Sequence, residues 1–124
     1  MNPDHKTILA CDDEPLILEI VEYVVSGLNF NLITADNGKD ALRLAREEKP
    51  DLIMLDDNMP ELTGFEVCKV LKKDDITKDI IVVMFTANTQ ASDIEKAKLY
   101  GANDFVKKPF SPKDLKLKLQ DLLG

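Results

Sequence analysis

Five short apolar runs, each separated from the next by a longer stretch of helical period, limit this chain to few folds. The runs are Thr7–Cys11, Asn31–Ala35, Leu52–Leu55, Ile80–Phe85 and Asp104–Lys107. Such alternation is the mark of βαβ units, in which a crossover helix returns the chain to lay down a parallel strand. The first, third and fourth runs are continuously apolar, as strands covered on both faces must be. The second and fifth are mixed, which suits positions nearer a sheet edge. The pattern predicts an α/β fold with a doubly wound, five-stranded parallel sheet of order 2-1-3-4-5. Its topological switch falls between the first and third strands.

Punctuation between the runs agrees. Pro15 and Pro112 fall where a first helical turn accepts proline, and Ser111 is placed to cap the last helix. Gly27 and Gly101 mark helix ends, Pro50 separates the second helix from the third strand, and Gly64 allows the turn into the third helix. No repeat, linker or low-complexity segment interrupts residues 1–124, so one domain is expected, with residues 1–6 as a short polar tail. At 124 residues such a domain can bury a core without staples.

Charge and composition exclude several functions. A net charge of −7 without a basic cluster argues against direct nucleic-acid binding. The longest wholly apolar run, Ile80 to Phe85, is too short to span a bilayer, and the N-terminus lacks the apolar stretch of a signal peptide. A cytoplasmic protein with no membrane role is the expectation. Cys11 and Cys68 stand in apolar surroundings without metal-ligand spacing, as reduced packing residues do. His5, the single histidine, lies in the polar tail without partners for a site.

Chemistry gathers at the strand ends. Asp56 closes the run Leu52–Leu55, Asp12 and Asp13 follow the first strand, Thr86 follows the fourth, and Lys108-Pro109 follow the fifth. In a parallel sheet of this order those ends share one edge, where open α/β folds place their ligands. Three crowded carboxylates repel unless a cation relieves them. Magnesium suits the set, because it takes hard oxygens from one or two carboxylates, water and a phosphate; nothing soft favours zinc or copper. With the cation seated, Asp56 is placed as a nucleophile toward phosphorus, forming an aspartyl phosphate. Lys108 offers a positive charge and Thr86 a hydroxyl donor for the phosphoryl oxygens. Each piece alone has a plainer meaning: an acid pair at a helix start with Asp13 favoured by the dipole, a strand-end threonine, a solvated lysine. Their joint placement at one edge is what favours a site.

The run Asp12-Asp13-Glu14-Pro15, the stretch DLIMLDDNMPELTGFEV from Asp51 to Val67, Thr86-Ala87 and Lys108-Pro109-Phe110 together resemble the receiver domain of two-component response regulators. The resemblance covers essentially the whole chain and implies the flavodoxin-like (α/β)5 receiver fold. It implies Asp56 as phosphoacceptor, Asp13 as a direct magnesium ligand, Asp12 acting mainly through water, and Asn58 contributing its backbone carbonyl. Manganese is an alternative cation. Lys108 and Thr86 would contact the phosphoryl group, and the bond to Pro109 would be cis. The phosphodonor would be a histidine kinase or a histidine phosphotransfer protein docking near the first helix and the site. Phosphorylation would draw Thr86 inward and let Phe105 on the fifth strand turn. This would remodel the fourth helix, fifth strand and fifth helix, which serve an output partner or a dimer of the chain. One departure stands out: Asp57 occupies a position the family usually fills with an apolar residue. It bears on metal affinity and phosphate lifetime, and an orientation toward solvent is expected for it.

Two helices hint at surfaces. Leu16, Ile17, Leu18, Ile20, Val21, Val24, Val25 and Leu28 spread over roughly 200° of the first helix, wider than packing on a sheet needs. Loops cover the excess, or a partner does. On the fourth helix Ala91, Ile94, Ala97, Leu99 and Tyr100 scatter round the wheel, which suits a weakly anchored switching surface and is equally explained by Ala-rich packing. Leu117 falls off the apolar stripe of the last helix and is expected on the output face. The expected function is a phosphorylation-activated switch with self-phosphorylation and slow self-dephosphorylation, not a metabolic enzyme. The alternatives are a phosphorylation-independent scaffold and a magnesium-dependent aspartyl-phosphate phosphatase. Against the phosphatase, Asn58 stands where those enzymes place a second aspartate.

Overall fold

Each apolar run forms a strand, and the strands stack in parallel. A computed structural model describes residues 1–87 and 94–124 in full and residues 91–93 by their backbone. Its elements are β1 (Lys6–Cys11), α1 (Pro15–Ser26), β2 (Phe30–Ala35), α2 (Gly38–Glu48), β3 (Leu52–Asp56), α3 (Gly64–Lys73), β4 (Ile81–Thr86), α4 (Ala91–Leu99), β5 (Asp104–Lys107) and α5 (Pro112–Leu123). The sheet order is β2-β1-β3-β4-β5, as the sequence pattern predicts.

Strand limits differ from the apolar runs by one residue at several ends. Asp56 and Thr86 are themselves ladder residues, paired with Phe85 and Lys107, because the neighbouring strand still offers backbone partners there. The Asp57 N–H continues the ladder to the Phe85 carbonyl at 3.0 Å. Ile80 lies just before β4. Lys6, placed in the tail by sequence, begins β1 opposite Phe30. The tail itself is pinned, since Asn2 exchanges backbone bonds with the Asn31 side chain at 3.0 and 2.7 Å.

Alternation along the strands divides the core in two. Leu9, Ile53, Leu55 and Met84 face α2, α3 and α4 through Ala41, Ala45, Val67, Leu71 and Ala97. Ile8, Leu52, Met54, Val83 and Phe85 face α1 and α5 through Val21, Val25, Leu115 and Leu119. β3 is buried throughout, so truncating any of its aliphatic residues to alanine costs about 2–5 kcal/mol.

The helices start with side-chain caps where the sequence provides them. Asn37 accepts from Asp40 N–H, Thr63 and Glu66 form a reciprocal capping box, and Ser111 accepts from Asp114 N–H. α1 is the exception: its N-cap is Glu14, without a side-chain bond, so neither Asp12 nor Asp13 caps it. The broad apolar arc of α1 is mostly covered, with Ile17, Leu18 and Ile20 packed against the α1/α5 core; Leu16 remains 64% exposed. On α4, Ala97 is buried and Leu99 is 81% exposed; the side chain of Ala91 lies outside the described residues.

Candidate functional site

β1 and β3 deliver their carboxylates to one edge because both strands end there. Asp12 follows the last residue of β1, and its N–H still bonds the Ala35 carbonyl at 3.1 Å. Its Oδ1 accepts from the Glu14 N–H at 2.9 Å, which fixes the side chain before α1 begins. Asp56 ends β3, and its Oδ1 accepts from the Asn58 N–H at 3.3 Å. Both acids are buried, at 1% and 3% exposure. Gly64 sets the height of the loop between β3 and α3: a Cβ there would fall 2.1 Å from the Asp56 backbone oxygen and 2.9 Å from Met84 Cε. Only glycine fits that approach. Within the loop Glu61 takes φ +67°, and the Leu62 N–H bonds the Pro60 carbonyl at 2.7 Å, the strained γ-turn that non-glycine residues rarely adopt.

Lys108 directly follows the last residue of β5 and is joined to Pro109 by a cis bond. Its N–H donates to the Thr86 carbonyl at 2.8 Å. Its ammonium lies 2.8 Å from Asp12 Oδ2, 3.2 Å from Asp56 Oδ1 and 3.5 Å from Glu14 Oε1. One cation thus faces three acids. Burial, followed by the charge of Asp12, pushes the Asp56 carboxyl up from 3.8 to about 7, against the downward pull of Lys108 and the Asn58 N–H. Burial alone would lower the Lys108 pKa, but its bond to Asp12 and the charges of Asp12 and Asp56 hold it above its ordinary value.

Carboxylate oxygens of Asp12, Asp13, Glu14 and Asp56 all lie within 4.8 Å of one another. Oxygen donors only, with excess negative charge and a solvent-facing side formed by Asp13 and Glu14, fit a hard divalent cation that keeps several waters. Glu14 is the member that sequence reading did not assign; its acidity beside Asp12-Asp13 was the available signal. Asp57 is half-buried and stands outside this carboxylate group. Thr86 is buried at the tip of β4. Phe105 is half-buried and pairs with Met84, two residues short of the tip, so by strand alternation Thr86 and Phe105 share one face of the sheet without being opposite each other. Cys11 and Cys68 are buried free thiols, raised to about 12 and 11 chiefly by burial, and are inert packing groups.

A family model described as the response regulator receiver domain matches residues 8–120, and the chain belongs to that family. It is 38% identical over 123 residues to the probable transcriptional regulator ycf27 of Porphyra purpurea, covering 99% of this chain and 49% of that protein. The chain spans about half the length of the curated relatives it matches. Among solved structures it resembles the chemotaxis response regulator CheY4 of Vibrio cholerae, with a TM-score of 0.91 and 32% identity over 96% of this chain and 99% of that one. The receiver domain of sensor histidine kinase PA1611 from Pseudomonas aeruginosa PAO1, which has a magnesium ion in its active-site cleft, has a TM-score of 0.86 at 25% identity, covering 95% and 97%. No helix among the described residues is long and apolar enough to cross a membrane.

Proposed function

We propose that residues 1–124 act as one receiver domain that takes a phosphoryl group on Asp56 and passes the event on as a change of surface. The observation that carries this reading is the Lys108 ammonium held between buried Asp12 and Asp56 at the edge of an all-oxygen carboxylate group. Asp12, Asp13, Asp56 and the Asn58 carbonyl would hold magnesium, with manganese as a substitute. When bound, the ion neutralises phosphoryl oxygens and the carboxylates that would otherwise repel them.

An Asp56 oxygen attacks phosphorus in line with the departing histidine nitrogen of a kinase or phosphotransfer protein. An O–P bond forms, the P–N bond breaks, and the nitrogen keeps the electron pair and takes a proton from solvent. Lys108 loses part of its hold on the Asp56 carboxylate and transfers it to a phosphoryl oxygen. The Thr86 hydroxyl donates to another. Self-dephosphorylation reverses the gain: water attacks phosphorus, releasing inorganic phosphate and the Asp56 carboxylate. These steps make the chain a switch with slow intrinsic turnover rather than a metabolic enzyme.

The donor protein docks near α1 and the site, where Leu16 offers an exposed apolar contact. The output travels through Thr86 and Phe105 to the face of α4, β5 and α5. There Leu117, 54% exposed, supplies an apolar contact for a partner protein or a second copy. A net charge of −7 suits protein contacts rather than direct nucleic-acid binding. A relative, ycf27 of Porphyra purpurea, is named a probable transcriptional regulator, which supports a role for this switch upstream of transcription.

Borohydride trapping tests the assignment. An aspartyl phosphate formed with acetyl phosphate and magnesium is reduced to homoserine, and peptide sequencing by mass then locates it. Homoserine at position 56 supports the reading; homoserine at position 57 moves the phosphoacceptor by one residue and overturns it.

A further inference from the structure

At the opposite end of the sheet from Asp56, the C-terminal ends of α3 and α4 enclose a groove of about 410 Å³ lined by Lys69, Lys72, Lys73, Leu99, Tyr100 and Gly101. Three of those residues are lysines in a chain whose net charge is −7. None of the three is in an ion pair among the described residues. Lys72 spends its hydrogen bonds on neutral groups, the Ile80 carbonyl at 2.7 Å, Asn103 Oδ1 at 2.9 Å and the Lys78 carbonyl at 3.3 Å. Lys69 stands 5.9 Å from the centre of the Tyr100 ring. Asp79 is the acid whose charge reaches Lys72.

Leu99 and Tyr100 give the groove an apolar wall. Leu99 is 81% exposed, more than any other large hydrophobic residue of the chain among those described. Gly101 has φ +93°, and a Cβ there would fall 2.8 Å from Lys72 Cγ. A side chain at position 101 would therefore close the depression that glycine leaves open.

We propose that this α3–α4 groove docks an acidic segment of a partner protein, one carrying at least one large apolar side chain to cover Leu99 and Tyr100. Charge complementarity and shape select the occupant: carboxylates answer Lys69 and Lys73, and Leu99 and Tyr100 call for an apolar side chain that a nucleic-acid backbone does not offer. The groove is remote from the carboxylate site, so docking does not depend on the phosphorylation reading.

The test uses the full 124-residue chain without phosphodonor, and a short capped peptide of glutamates around a central Leu-Phe pair. Backbone NMR shifts are followed during titration, with the Lys69→Glu/Lys73→Glu variant and a glutamine version of the peptide as controls. Expected are saturable shifts centred on Lys69, Lys73, Leu99 and Gly101, with binding weakened about tenfold in the double variant and lost for the glutamine peptide. Shifts centred elsewhere, or equal affinity in the double variant, would overturn the proposal. So would the same residues shifting with protein concentration alone, which assigns the groove to a second copy of the chain.

Discussion

Lys108 Nζ stands 3.2 Å from Asp56 Oδ1 and also holds Asp12, so a single ammonium serves two buried carboxylates. Two acids sharing one cation leave a net negative site, and that imbalance governs how the protein answers to pH, to metal and to substitution.

The contribution of Asp56 to stability falls as pH rises from its unfolded value of 3.8 to its folded value of about 7. The Asp56 carboxyl is raised from 3.8 to about 7 in the folded protein, so the folded state holds this proton more tightly than the unfolded chain. Its contribution is fully present below the unfolded value and is lost as pH rises through the folded one. Asp56→Asn removes the ionisation. In metal-free buffer the variant is more stable than wild type at pH 8 by at least about 1 kcal/mol, and the difference closes toward pH 4. Urea melts at the two pH values check this; a variant no more stable at pH 8 contradicts it.

Lys108→Met should act in the opposite direction. It leaves Asp12 and Asp56 buried without their cation, a loss of about 3 kcal/mol at pH 8. The loss shrinks at pH 5, where Asp56 carries a proton. Magnesium restores part of the stability at pH 8, because the ion takes over the neutralising role. The same melts with and without magnesium give the comparison.

Asp13 faces solvent at the mouth of the carboxylate group, and the ion pairs of Lys108 among the described residues are with Asp12, Glu14 and Asp56 instead. Asp13→Asn therefore leaves folding nearly unchanged but weakens magnesium binding at least about tenfold. Titration calorimetry reads the magnesium affinity and a urea melt the stability. Equal affinity would remove Asp13 from the metal site.

Gly64→Ala tests how the loop sets the height of Asp56. A methyl 2.1 Å from the Asp56 backbone oxygen forces α3 or the tip of β3 to move. The expected cost is about 1–3 kcal/mol, with slower phosphorylation by acetyl phosphate even where the variant is fully folded. Lys49→Gly is the counterpart with no functional effect. Lys49 caps α2 at φ 45°, a conformation glycine adopts without penalty, so the substitution raises stability by about 0.5–1 kcal/mol.

Much of this architecture was legible in the residues. Continuous apolar runs in β1, β3 and β4 against mixed ones in β2 and β5 gave the strand order, because burial on both faces leaves no room for polar side chains. The strand-end positions of Asp12, Asp56, Thr86 and Lys108 followed from that order. Less legible were features set by tertiary contact. The residue types of Glu61 and Lys49 do not favour positive φ; both side chains are exposed, and the turn between Pro60 and Leu62 and the C-terminal end of α2 impose it. Glu14 turns toward Lys108 because Asp12 claims the Glu14 N–H and Pro15 fixes where α1 starts. The broad apolar arc of α1 suggested either loops or a partner as its cover, and the coverage comes mainly from α5 and the sheet.

The most direct measurement is intact mass after incubation with acetyl phosphate, with and without magnesium, for the wild-type chain and Asp56→Asn. The expected result is a single labile adduct of about 80 Da, the mass of one phosphoryl group, that requires magnesium and is absent from the variant. No adduct at any magnesium concentration, or an adduct of equal yield in Asp56→Asn, would contradict it.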